Sequence, residues 1–301
     1  MTETAPRVRE EILAYYARGK EDARLRDGGA PAGRLEFWRT QDVLRRLLPP
    51  APARVLDVGG GSGVHAEWLA QDGHQVRLVD PVPLHVEQAA RLPAVTARLG
   101  DARELTEDDA SYDVVLLLGP LYHLTERADR VRALAEAERV VRPGGLVVAA
   151  TINRYAQLHD LLREERYFTP SVRAHTDAVL ADGRHPYEEG GFFTVAHFAQ
   201  PDEVTGEFAE ARLSVEGRYG VEGVAWLMDG VEDWLDDPAR RETVLAACRH
   251  IESEPTLLGT SGHLLTAGRR HGEHGHGEHG HGEHGHGEQM PVGDYAAVPP
   301  E

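Results

Sequence analysis

The chain holds a single cysteine, Cys248, in 301 residues. That excludes an internal disulfide and a cysteine-built zinc site. Lysine is equally scarce: Lys20 stands alone, and every other base is arginine. No run approaches the ~18 apolar residues of a membrane span. The longest apolar stretches lie around 114–121 and 146–152. The opening MTETAPRVREE has no apolar core behind its charges, so no secretory signal is read there. Bases are outnumbered 32 to 50, for a net charge of −18. Such acidity opposes nonspecific attraction to nucleic acid or to an anionic membrane. A reducing, cytoplasmic protein with neither kind of partner is expected.

What remains is a soluble composition, 41% apolar and 27% charged, long enough to bury a large core. The final stretch departs from it. From His271 the unit HGEHG recurs three times, and seven of the 17 histidines fall there. With almost no apolar side chains, residues 269–301 are expected to be disordered. Imidazoles at short, flexible spacing bind divalent metal adventitiously, without fixed geometry, so no catalytic metal is expected.

Upstream, short strands alternate with helices. Helices are expected at 7–25, Leu35–Leu48, His65–Asp72, Leu84–Arg91, Ala128–Val141, Pro201–Ala211 and, largely, Val231–Ser253. Strands are expected at Arg54–Val58, Gln75–Val79, Ala94–Leu99, Asp113–Leu118, Leu146–Thr151, Leu213–Val221 and Gly262–Gly268. Fully apolar central strands separated by helices indicate a parallel sheet covered on both faces.

The strongest local signal is VLDVGGGSG, residues 55–63. A strand ends, glycines let a ligand approach the backbone, and a helix amino terminus follows with free N–H groups. The frame Gly61-Ser-Gly-Val-His-Ala66 also satisfies a dinucleotide pattern, so the loop alone leaves the ligand open. Asp57 sits inside the first strand's end. Asp80 closes the second strand, where ribose hydroxyls lie in doubly wound folds. Asp101 follows the third. Each acid also suits a cap or turn role.

Taken in order, VLDVGGGSG, VRLVDP, LGDARELT, SYDVVLLLGPLYHL and ERVVRPGGLVVAAT resemble the class I S-adenosylmethionine-dependent methyltransferases over about residues 40–268. A nicotinamide dehydrogenase would leave Asp57, the Gly100-Asp101 step and the PGG turn unexplained. The resemblance implies a Rossmann-like, doubly wound α/β fold with a seven-stranded, mostly parallel sheet whose last strand runs antiparallel. It implies S-adenosyl-L-methionine as cofactor. The glycine loop with Asp57, Gly59, Gly61 and Gly63 would lie against its methionine part. Asp80 and Pro81 would take the ribose, and Asp101 with Ala102 the adenine. Leu118 and Gly119 would complete the wall. Arg39 would meet the methionine carboxylate and Tyr15 would cover the site. Residues 1–48 are then amino-terminal helices closing over the cofactor, and 49–268 the methyltransferase domain. Within it, residues 152–199 form an aromatic-rich substrate cap carrying Tyr155, Tyr167, Phe168, Tyr187, Phe192, Phe193 and Phe198.

After the fourth strand the chain reads Gly119-Pro120-Leu121-Tyr122-His123. Methyltransferases of DNA amino groups carry an acid or Asn, two prolines and an aromatic there, so this segment argues against DNA. Tyr122 and His123 suit a small-molecule acceptor, such as an aromatic secondary metabolite. His123 is a candidate general base; the alternative is a packing histidine beside the cofactor. A peptide acceptor, or a non-catalytic cofactor-binding or metal-handling protein, are the other readings.

Overall fold

A computed structural model describes residues 8–19, 33–186 and 193–272. Its centre is a sheet built from β1 (Arg54–Val58), β2 (Gln75–Asp80), β3 (Val95–Leu99), β4 (Tyr112–Leu117) and β5 (Val141–Asn153). These five are parallel, in the order β3-β2-β1-β4-β5. β8 (Leu213–Gly220) and β9 (His263–Arg270) complete it. β9 lies between β5 and β8 and runs antiparallel to both. The expected seven-stranded sheet with one reversed last strand is therefore present. Two short strands, β6 (Arg184–His185) and β7 (Ala196–Ala199), extend it, with β7 pairing the carboxyl end of β5.

Period-two alternation assigns the strand side chains to two cores. Leu56, Val58, Val115, Leu117 and Val147 face one, closed by Leu134 and Phe208. Val55, Val114, Leu116 and Val148 face the other, closed by Leu44 and Leu69. The closing residues come from helices α2 (Gly33–Leu47), α3 (Val64–Gln71), α5 (Arg127–Val140) and α8 (Glu203–Glu210). Burying one such leucine contributes ~1.5–3 kcal/mol. Two apolar faces explain why these strands read as unbroken apolar runs. The remaining helices are α1 (Glu10–Tyr16), α4 (Pro83–Ala89), α6 (Ala156–Arg163), α7 (Pro170–Asp182), α9 (Val231–Trp234) and α10 (Pro238–Ile251). No helix among the described residues is long and apolar enough to cross a membrane.

Several boundaries differ from the sequence expectation. The PGG segment lies inside β5 instead of preceding it. The ladder to β4 shifts register there, and a Cβ on Gly145 would come within 2.9 Å of the Asp113 carbonyl. This is an irregularity within a continuing strand, which a turn signal in the sequence does not reveal. The helical stretch 231–253 breaks at Asp237. Its carboxylate accepts from the N–H groups of Ala239 and Arg240, with Pro238 opening α10. The carboxyl-terminal boundary also moves. Arg269 and Arg270 belong to β9: Arg269 pairs with Glu216, and Arg270 donates to the carbonyls of Glu138, Arg139 and Val141. The expected helix at 7–25 is described as far as residue 19 and ends at Tyr16. The histidine-rich stretch from 273 onward, and the cap aromatics Tyr187 and Phe192, lie outside the described residues.

Candidate active site

A pocket opens at the carboxyl ends of β1, β2, β3 and β4, the edge where doubly wound sheets take ligands. Asp57, Gly59, Gly61, Asp80, Pro81, Asp101, Ala102, Leu118, Gly119, Tyr122 and His123 all line it. Each of these is a site candidate in the sequence pattern.

The glycine loop shows why. Gly61 has φ +58° and nothing within 4 Å of the position a Cβ would occupy, so its bare backbone faces open space. Gly63 is different: it is expected at the cofactor, yet it lies outside the pocket wall. It has φ +90°, and a Cβ there would stand 2.6 Å from Leu92 and 3.3 Å from Ala89. It is absent from the pocket wall and instead lets α3 start close against the segment holding α4.

Beneath the loop, Asp57 is fully buried, and neither carboxylate oxygen has a hydrogen-bond partner among the described residues. Burial pushes its carboxyl up to about 7, and the Asp80 charge adds to the rise. An unpaired buried anion is expensive. It is tolerable beside a site that receives a cation, and the sulfonium and ammonium of S-adenosylmethionine are such charges.

Asp80 serves the protein as well as the pocket. Its Oδ2 accepts from the Gly61 N–H at 2.9 Å. Its Oδ1 accepts from the Val82 N–H at 2.9 Å and faces His85 Nδ1 at 3.1 Å. The carboxylate thus ties the glycine loop to the start of α4. His85 also lines the pocket, with Nε2 buried and unpartnered among the described residues. Asp101 is gripped by Arg103, whose backbone N–H and Nε meet Oδ1 and whose Nη2 meets Oδ2 at 2.8 Å. Its oxygens keep lone pairs for a further donor.

His123 is half-buried between two partners. Its Nδ1 faces the Val195 carbonyl at 3.1 Å, and its Nε2 meets the Tyr16 hydroxyl at 2.6 Å. A carbonyl can only accept, so Nδ1 carries the proton and Nε2 accepts from Tyr16. Burial pulls the imidazole down to about 4, against the opposing effects of the Val195 bond and the Asp80 charge. The ring is therefore neutral near pH 7.

Two expected site residues lie outside the pocket wall. Arg39 is fully buried away from the pocket: it donates to the Val221 carbonyl at 2.9 Å and to Glu252 at 2.6 Å, and pairs with Asp42. Tyr15 is not in the pocket wall. It packs edge-on behind Tyr16 at 5.1 Å and against Phe193 at 5.7 Å. The neighbouring Tyr16 is the pocket residue, together with Val8, Arg9, Ile12 and Glu36. No described residue of 152–199 lines the pocket. The insert reaches it through the Val195 carbonyl and the Phe193 ring, 5.8 Å from His123.

Residues 55–145 match a family model described as a methyltransferase domain. An uncharacterized methyltransferase of Mycobacterium bovis is 46% identical over 122 residues, covering 39% of this chain and 48% of the relative. A ubiquinone biosynthesis O-methyltransferase of Yersinia pestis is 37% identical over 152 residues, covering 48% and 61% respectively. The chain thus spans about half the length of the first of these relatives. An S-adenosylmethionine-dependent methyltransferase structure from Methanosarcina mazei overlays with a TM-score of 0.52 at 17% identity, covering 77% of this chain and 98% of that one. The matched domain, the sheet order and the glycine loop are consistent with a class I S-adenosylmethionine-dependent methyltransferase.

Proposed function

We propose that the protein transfers a methyl group from S-adenosylmethionine to a small organic acceptor in the cytoplasm. The observation that carries this reading is the unpartnered, buried Asp57 beneath a bare glycine loop, with Asp80 and Asp101 at the next two strand ends. The donor set fits the cofactor. Asp80 and His85 offer acceptors to hydroxyls, Asp101 offers one to an amino group, and Gly61 exposes backbone. When bound, the cofactor supplies an electrophilic methyl on a sulfonium. The chain's own part is to orient and desolvate, which suffices for an acceptor that is already nucleophilic. Neutral His123 holds Tyr16 over the pocket and shapes the acceptor side, a role that needs no proton uptake near pH 7.

The O-methyltransferases among the relatives favour an oxygen acceptor. The acidic chain favours a small molecule over nucleic acid. Residues 1–48 act as a cover through α1, and residues 152–199 as a cap that fixes the cover from behind. Calorimetric titration tests the reading. S-adenosylmethionine and S-adenosylhomocysteine should give heat and NAD none; the reverse result would sink the assignment. A screen of phenolic acceptors for S-adenosylhomocysteine release then tests the substrate class.

A further inference from the structure

Glu36, Glu222 and His263 come from distant parts of the chain and converge beside the pocket. Glu36 is in the first turn of α2, Glu222 lies two residues past β8, and His263 opens β9. One ligating atom from each lies within 4.8 Å of the other two. His263 Nδ1 is 2.6 Å from one Glu222 oxygen and 3.8 Å from a Glu36 oxygen. His263 pairs with Ile152 near the end of β5, so the cluster sits on the same sheet edge as the pocket. Glu36 belongs to the pocket wall itself.

The surroundings hold this cluster in place. Glu222 is buried, and its second oxygen accepts from Ser261 Oγ at 2.8 Å and from the His263 N–H at 2.9 Å. Ser261 Oγ in turn accepts from the N–H groups of Glu222 and Gly223. One carboxylate oxygen is thus anchored while the other is presented to the imidazole. Supporting bonds of this kind orient metal ligands.

We propose that Glu36, Glu222 and His263 form a divalent-metal site opening on the pocket. One imidazole nitrogen and two carboxylate oxygens suit Mn²⁺, Fe²⁺ or Zn²⁺. Three protein ligands leave coordination positions for water or an acceptor oxygen, the arrangement of catalytic rather than structural sites. The 2.6 Å contact is a hydrogen-bond length. In the metal-free protein a proton on Nδ1 bridges the pair. An ion with bonds of about 2.0–2.2 Å takes the place of that proton at Nδ1, and the neutral imidazole then carries its proton on Nε2. The use of the ion for an acceptor oxygen rests on the methyltransferase reading; the site itself does not.

The test is Mn²⁺ titration of the full chain, counting free ion by electron paramagnetic resonance. The histidine-rich tail is common to every variant, so its binding cancels in the comparison. The wild type should bind one more equivalent than Glu36→Gln and than Glu222→Gln. Ser261→Ala should keep that equivalent but bind it roughly 10- to 100-fold more weakly. Mn²⁺ should raise the wild-type melting temperature and leave that of Glu36→Gln unmoved, a difference that the shared histidine-rich sequence does not produce. Equal stoichiometry and equal thermal response in the wild type and Glu36→Gln would overturn the proposal. Titration with S-adenosylhomocysteine keeps the two readings apart. Heat with no Mn²⁺ difference removes only the metal site, and a Mn²⁺ difference without heat removes only the methyltransferase reading.

Discussion

The two sides of the pocket are built differently. On the cofactor side, Asp57, Gly61, Asp80 and Asp101 lie on the ends of adjacent strands and the turns that follow, and Asp80 is bonded to neighbours 2 and 5 residues away as well as to Gly61. On the other side, Tyr16 meets His123 across 107 residues, and His123 meets Val195 across 72. A hydrogen-bonded chain there joins α1, the segment after β4 and the insert. The first side is assembled with the sheet and inherits its rigidity. The second exists only when three separate segments dock, and such elements open at lower free energy than a core sheet. In the proposed function, a cofactor wall that stays fixed and an acceptor wall that can separate suit an enzyme that must admit a second substrate.

The sharpest way to break the cofactor side is Asp80→Ala. Loss of hydrogen bonds to a charged group should weaken S-adenosylmethionine binding by about 1.5–3 kcal/mol, measured by calorimetry. The carboxylate also holds Gly61, Val82 and His85. The melting temperature should therefore fall by several degrees, whereas a strand-end acid with no such bonds would leave it unchanged. Unaltered affinity would show that Asp80 serves only the turn.

A smaller effect comes from Asp57, whose carboxyl stands at about 7. The ionised form favours a cationic ligand, so affinity for S-adenosylmethionine should rise by up to about tenfold between pH 6 and pH 8. Stability should move the opposite way. A carboxyl raised in the folded state stabilises that state while protonated. The contribution is full below the unfolded value near 4 and disappears as pH rises through about 7. Asp57→Asn should flatten both profiles and make the ligand-free protein more heat-stable at pH 8. A wild-type affinity independent of pH would dismiss the charge argument.

The docked side should respond least. Tyr16→Phe removes one hydrogen bond, worth about 0.5–1.5 kcal/mol, and should speed hydrogen exchange in α1 without changing it in β1 or β2. His123 stands at about 4, so the rate at saturating cofactor should show no step between pH 6 and 7 that His123→Ala abolishes. Such a step, lost in the variant, would make His123 a proton acceptor after all.

Legibility in the sequence follows the same division. Gly59, Gly61, Asp80, Pro81, Ala102 and Gly119 could be placed because strand ends and turns are short-range patterns, and the sheet brings strand ends to one edge. His85 was missed although it stands five residues past Asp80; the short helix α4 turns it back toward that carboxylate. Tyr16 and Tyr15 are indistinguishable without the docking angle of α1, since only tertiary packing selects which ring faces inward. Arg39 was misplaced for a related reason. Glu36, on the same helix, reaches the pocket, while Arg39 one turn on is claimed by Glu252, 213 residues away. No local pattern announces that partner. The PGG bulge and the last residues of β9 were hidden because a glycine signal marks a possible turn, and ladder pairing decides whether the strand continues.

The place of β9 has a consequence for how the protein is made. Residues 263–270 fill the slot between β5 and β8, and they are among the last described residues to leave the ribosome. Until they arrive, β5 and β8 present unpaired backbone to any other chain nearby, a condition that promotes association between incomplete molecules. The glycine loop and its acids can be made and paired early. Closure of the sheet must wait until residues 263–270 have been made. A premature stop before His263 would therefore release a molecule with every cofactor motif intact and an open seam beside its central strand.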